Sequence, residues 1–450
     1  MNRPLVIGGG FAGLAAGVQL AARQLRPIVL EARPHLGGRA YSFTDAATGE
    51  QVDNGQHAMM GCYAHALAFF DRIGASRKLV RQPNLRVAMA ERGRGAGVIA
   101  CAPLPGPLHM VSGVLGYRLL RRRERWRALL GGVRILHMYR RAHAGLAATT
   151  VARLLDRLGQ SAHAQASFWN PVAIATLNEA PTLASAAPFA AVLARAFFGS
   201  RRDSQFVLPG VGLSELYTED ARRFIESRGG QVEVRAAVAQ LEVATGRIAS
   251  VALRDGRRIA TDACIAAVPP QSLAPLIPEP LRAEAPFRAL GNFLGSPIVS
   301  IHLWLDRAVF EPDFLGLIGT TTQWCFNRSA LRGEHNGGQS LSAVISAGHE
   351  VVEWDNARIA ATAIDDLRAV VPAARTAEVV RSVVVRERNA TISSTPAAER
   401  LRPPARTAID NFFLAGDWTA TGLPPTIESA VASGDRAAEL LVERLRTARL

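Results

Sequence analysis

The stretch 5–42 constrains the fold of this chain more than any other. An apolar run, Leu5-Val6-Ile7, leads into Gly8-Gly9-Gly10-Phe11-Ala12-Gly13, then an alanine-rich segment, and a second apolar run ends at Glu31. The order reads as strand, tight turn, helix, strand. Each glycine of the triplet has a separate use. Gly8 permits the turn, Gly10 lets backbone N–H groups approach a pyrophosphate, and Gly13 lets the helix pack close to the strand, with its positive N-terminus facing the phosphate charge. Glu31 stands near the roughly 20-residue spacing at which a carboxylate accepts hydrogen bonds from an adenosine ribose, and there it would repel a 2′-phosphate. Ala32 and Arg33 follow it, then Gly37-Gly38-Arg39 and Ser42, a second glycine pair with a basic residue able to wrap the same pyrophosphate from its other side. A dinucleotide site in an α/β fold is expected.

Residues 6–39 together resemble the FAD-binding fingerprint of the flavin amine oxidase and phytoene desaturase superfamily. The resemblance implies a Rossmann-like FAD-binding domain of the amine oxidase (GR2) type, interleaved with a substrate domain of mixed sheet and helices. It puts Phe11 and Ala12 with the glycines among the cofactor-binding residues, Glu31 on the ribose and Arg39 near the phosphates. The FAD-binding segments are expected at 1–75, 206–275 and 401–450, and the substrate segments at 76–205, with a membrane contact, and 276–400. One position departs from the pattern. The superfamily carries glycine where the first helix turns back toward the second strand, and here Gln24-Leu25 stand before Pro27, so a left-handed helix cap is not expected.

Further stretches return to the same site. Gln51 to His57 is a turn-forming cluster after a hairpin around Thr48-Gly49; Asp53, Asn54 and Gly55 can place donors against a flat ring, or form a plain loop, and His57 fits a structural role equally. Ser214 reads as the N-cap of a helix ending at Gly229-Gly230. Strands follow, and in the resembling superfamily the backbone near Val238 reaches the adenine. Near the C-terminus a buried strand, 411–415, ends in Gly416-Asp417, and Pro424-Pro425-Thr426-Ile427 opens a last helix. Asp417 at a strand end can bond a ribityl hydroxyl or, through water, the pyrophosphate, and a helix dipole starting near Thr426 can stabilise negative charge on a reduced flavin ring. The glycine fingerprint together with this C-terminal arrangement makes FAD the expected cofactor.

The net charge of +14 comes almost wholly from arginine, since Lys78 is the only lysine, and it favours anionic partners. Residues 104–120 are apolar and run into Arg118, Arg121, Arg122, Arg123, Arg125 and Arg127 around Trp126. This pattern fits a surface lying in an anionic membrane interface, and equally a solvated helix face. No nucleic-acid module accompanies it, so nucleic acid is not expected as a partner. Cys62, Cys101, Cys264 and Cys325 are widely spaced, with no zinc pattern, so neither structural metal nor disulfides are expected. No secretory signal is visible and the longest uncharged apolar stretch, 290–305, is short of the roughly 20 residues of a spanning helix. The expected location is cytoplasmic, peripheral to the inner face of the cytoplasmic membrane.

Lys78 lies in no flavin-adjacent context and no tyrosine follows Tyr217, which disfavours amine oxidation. Over nearly the whole chain, at 6–42, 53–57, 169–181, 208–216, 323–328 and 399–434, the sequence resembles the hydroxysqualene dehydroxylase family of squalene and hopanoid biosynthesis. That resemblance implies hydride transfer from reduced FAD to hydroxysqualene, giving squalene and water, with the flavin reloaded by an unidentified electron donor. Hydroxide leaves poorly, so a general acid is required, for which Asp53 and His57 are the candidates. Carbocation character calls for aromatic walls, for which Phe168, Trp169, Trp324 and Phe326 are available. Two alternatives stay open: an oxidative carotenoid desaturase acting on another long isoprenoid, and a non-catalytic isoprenoid carrier of related fold.

Overall fold

The computed structural model describes residues 3–333 and 337–447. Five short strands form an all-parallel sheet in the order Gln231–Glu233, Ile28–Leu30, Leu5–Ile7, Cys264–Ala266, Phe412–Leu414. All but the edge strand Gln231–Glu233 are buried from end to end, which is why they read as continuous apolar runs rather than alternating ones. The helix Phe11–Ala22 is buried along almost its whole length. It has no polar face because the sheet covers one side and the C-terminal helix, Ile427–Thr447, crosses the other. A small residue sets that crossing, since a Cβ at Gly434 would lie 2.2 Å from the Ala12 carbonyl oxygen; another sets the helix against the turn before it, since a Cβ at Gly13 would lie only 1.8 Å from the Gly8 carbonyl oxygen.

A second sheet of seven strands runs Val379–Ile392, Gly295–Leu305, Gln339–Ser346, Trp324–Asn327, Phe314–Ile318, Arg86–Glu91, Gly95–Ala100. Its neighbours are antiparallel except for the parallel pair Phe314–Ile318 and Arg86–Glu91. Helices between residues 108 and 197 pack on it around Val87, Met89, Tyr117, Phe168, Trp169 and Phe189. The parallel sheet draws its strands from segments 1–75, 206–275 and 401–450, and the mixed sheet from 76–205 and 276–400. The architecture is the expected one, a Rossmann-like α/β unit interleaved with a mixed-sheet-plus-helices unit. No helix among the described residues is long and apolar enough to cross a membrane.

Three local expectations need correcting. The first helix does end in a left-handed cap: Gln24 has φ of 62°, and Leu25 N donates to Leu20 O at 3.2 Å across it. The chain must turn at once to begin the second strand, and that demand outweighs the cost to a residue with a side chain. The helix Leu213–Glu226 is capped by Gly212, not Ser214. Ser214 Oγ instead accepts a bond of 2.8 Å from Ser42 N, tying that helix to the hairpin strand Ser42–Thr44. The apolar run 104–120 is not one exposed face, since Val114, Leu119 and Leu120 are core while Leu104 and Leu108 face outward.

Candidate active site

The two glycine turns meet face to face. Gly8 (φ 109°), Gly37 (φ 114°) and Gly38 (φ 58°) take conformations that favour glycine, and a Cβ on Gly38 would stand 3.1 Å from Gly10 Cα. Gly37 N donates to Gly9 O at 2.9 Å, which holds the second turn against the first. Gly10 is the N-cap of the first helix and supplies no side chain, so the helix N-terminus opens on the space between the turns. Glu31 is buried and accepts from Gly9 N (2.7 Å) and Arg33 N (2.8 Å). A carboxylate has about four lone-pair positions, so two remain for a ribose diol. Arg33 also donates to Gly38 O at 3.0 Å.

The C-terminal segment closes the same cavity. Arg39 donates to Asp417 Oδ1 at 2.7 Å and to Ala390 O at 3.0 Å. Burial works against the Arg39 charge, but Asp417 more than compensates and raises its pKa. Gly416 (φ 135°) donates to Ser433 Oγ at 2.7 Å. Arg402, which the sequence did not single out, is buried and donates to the carbonyls of Asp417 (2.8 Å), Thr419 (2.9 Å) and Leu423 (2.7 Å), fixing the 417–423 loop. The resulting cavity of about 670 Å³ is lined by both glycine turns, Glu31, Ala32, Arg33, Arg39, Asn54, Gly55, Val238, Gly416, Asp417, Pro425, Thr426 and Ile427. Phe11 contributes backbone, because its ring stacks on Tyr217 at 3.9 Å within the core. These donors, the narrow gap between the turns and the spare capacity of Glu31 fit an FAD.

The loop 53–57 divides its expected roles. Asn54 stitches the wall, donating to Arg39 O (2.9 Å) and accepting from Tyr41 N (3.1 Å). Asp53 is not the acid. Its carboxylate accepts from Ser42 Oγ (2.7 Å), Leu213 N (2.9 Å) and Arg332 Nη2 (3.3 Å), and it lines neither the cofactor cavity nor the chamber beside it. His57 does line the cavity, but burial lowers its pKa below 6.5 and keeps the ring neutral. With Nδ1–H donated to Gly55 O at 3.0 Å, Nε2 is left as an acceptor, which suits holding a water or hydroxyl rather than protonating one.

A second chamber of about 340 Å³ opens beside the first, and Gln56, Ala58, Tyr63, Ala175, Thr176 and Ile298 line both. Among the described residues no charged side chain lines it. Phe168, Trp169, Trp324 and Phe326 are brought together in its wall. Phe168 and Trp169 sit on a π-helical turn, Gln165–Trp169, of a kind frequent at functional sites. Pro171 cannot donate to Ser167 O, and the Tyr117 hydroxyl bonds that carbonyl instead at 2.9 Å. Tyr63, also missed in the sequence, stands where the two cavities join. Burial raises the pKa of its phenol. Lys78 is remote, paired with Asp220 at 2.6 Å, and the four cysteines are unpaired. Among the described residues no cluster of metal-ligating side chains occurs.

The model of the family described as "Flavin containing amine oxidoreductase" matches residues 11–442. The chain is 29% identical to hydroxysqualene dehydroxylase of Sinorhizobium fredii, over 98% of this chain and 99% of that protein. It is 26% identical to the 15-cis-phytoene desaturase of Solanum lycopersicum, over 98% of this chain and 77% of that one. The crystal structure of an oxidoreductase from Methanosarcina mazei superposes with a TM-score of 0.74 at 16% identity, covering 97% of this chain and all of the other.

Proposed function

Since the chain belongs to the flavin containing amine oxidoreductase family and is an FAD-dependent oxidoreductase, we propose that it removes the hydroxyl of hydroxysqualene reductively, supplying squalene. The observation that carries this reading is the uncharged, aromatic-walled chamber opening directly on the dinucleotide cavity. In the overall change a C–O bond breaks, a C–H bond forms, and the hydroxyl leaves as water after taking one proton. Bound FAD, when reduced by a donor outside the chain, supplies the hydride. The chain's own residues do the rest. The chamber holds the hydrocarbon and excludes water, and the faces of Phe168, Trp324 and Phe326 stabilise positive charge developing on carbon. Tyr63 O–H and the Gln56 amide, at the junction, donate to the departing hydroxyl, with His57 Nε2 as an acceptor beside them.

The likeness to a phytoene desaturase favours a second reading, oxidative desaturation of a polyprenyl chain in the same chamber. Electron direction separates the two. Dithionite-reduced protein mixed anaerobically with hydroxysqualene should regain its oxidised-flavin absorbance as squalene appears. An unchanged spectrum there, with bleaching of the oxidised protein by phytoene, would replace the first reading with the second.

A further inference from the structure

We propose that the helix Arg122–Arg140 and the segment before it form a docking surface for an anionic bilayer, placed at the mouth of the apolar chamber. An ordinary surface helix has one apolar stripe, facing the core, with polar residues opposite. This helix has two. Ala128, Gly131, Gly132 and Ile135 are buried on one side. At roughly 100° per residue, Trp126, Leu130 and Val133 fall together on the opposite side, where they are 59%, 58% and 56% exposed. Leu104 and Leu108 are exposed nearby in sequence, so five of the ten large apolar side chains left exposed among the described residues lie within 104–133.

The charges around this stripe suit a lipid headgroup layer. Arg122, Arg123, Arg127 and Arg134 flank it and are exposed. None of the four forms an ion pair among the described residues. Arg125, by contrast, is a structural residue that donates to Leu115 O (2.8 Å) and Leu120 O (2.9 Å). The helix is also held firmly from behind. Buried Glu124 accepts from Arg121 N (2.9 Å) and Ser161 Oγ (2.6 Å) and lies 2.9 Å from His163 Nδ1. Val133 and Pro107 are both exposed and both line the chamber, so the chamber's rim and the apolar stripe share residues. A bilayer seated here covers the stripe, offers phosphates to the arginines, and lets a long hydrocarbon pass between lipid and chamber without crossing water.

The inference rests on the chamber's taking a hydrocarbon, but vesicle binding is read with no substrate present, so it can fail while dehydroxylation stands. The flavin-loaded full chain is centrifuged with vesicles of phosphatidylglycerol and phosphatidylcholine, and with phosphatidylcholine alone. The expected result is binding to the anionic vesicles that weakens as salt rises. Removing the arginines in R122S/R123S/R127S should weaken it about fivefold for each arginine, and W126S/L130S/V133S at least tenfold. Flavin content and melting temperature unchanged from the parent show that both variants fold. Equal binding to both vesicle types, no binding, or an apolar-face variant that binds like the parent would overturn the proposal. So would a dimer of the free protein that W126S/L130S/V133S abolishes, because the stripe would then belong to a second copy of the chain.

Discussion

Tyr63 precedes the helix Ala64–Arg72, and its place at the junction of the two cavities comes from tertiary packing. No local spacing marked it, whereas Glu31 was legible because its distance from the glycine turn is set by the length of one helix and one strand. Asp53 misled for the converse reason: it stands beside cavity residues in sequence but points to Ser42 and Leu213. If the phenol donates to the leaving hydroxyl, Tyr63→Phe should lower turnover by about 100-fold or more at unchanged flavin content, read by stopped-flow. His302 gives a prediction about acid. It is buried, and burial, with the nearby Arg328 charge, lowers its pKa to about 3. A histidine depressed in the folded state contributes stability fully above its unfolded value near 6.5, and that contribution is lost as pH falls from there to about 3. Denaturant titrations should show up to roughly 1.4 kcal/mol lost per pH unit in that window, a slope that His302→Leu removes.

At the scale of elements, the glycine turns, the first helix and the terminal strand-to-helix turn were readable because each is a local solution to one geometric demand. The cap at Gln24 was not, because the direction of the following strand imposes it. Gln24→Gly should relieve a left-handed conformation costing about 1 kcal/mol and raise the melting temperature without altering flavin affinity. The crossing of the first and last helices is less forgiving. Gly434→Val places a side chain against the Ala12 carbonyl, so a loss of about 3 kcal/mol or more is expected. Calorimetry should show it together with weakened flavin retention, because the same displacement moves the turn at Gly10.

Over the whole molecule, residues near the two ends of the chain close one cavity, with Arg39 and Asp417 2.7 Å apart. The interleaving was legible from matched motifs at either end. Of the chamber's wall, Phe168, Trp169, Trp324 and Phe326 were named from the sequence, but Phe206 and Phe314 beside them were not, because no sequence period connects these segments. The central claim is that cofactor cavity and apolar chamber act as one site, meeting at Ala175, which faces both. The most direct measurement is anaerobic single turnover of the reduced parent and of Ala175→Trp with hydroxysqualene. The parent should reoxidise with one squalene per flavin, while the variant holds a full complement of flavin and stays reduced. Reoxidation of Ala175→Trp at the parent's rate, or none in the parent, would contradict the account.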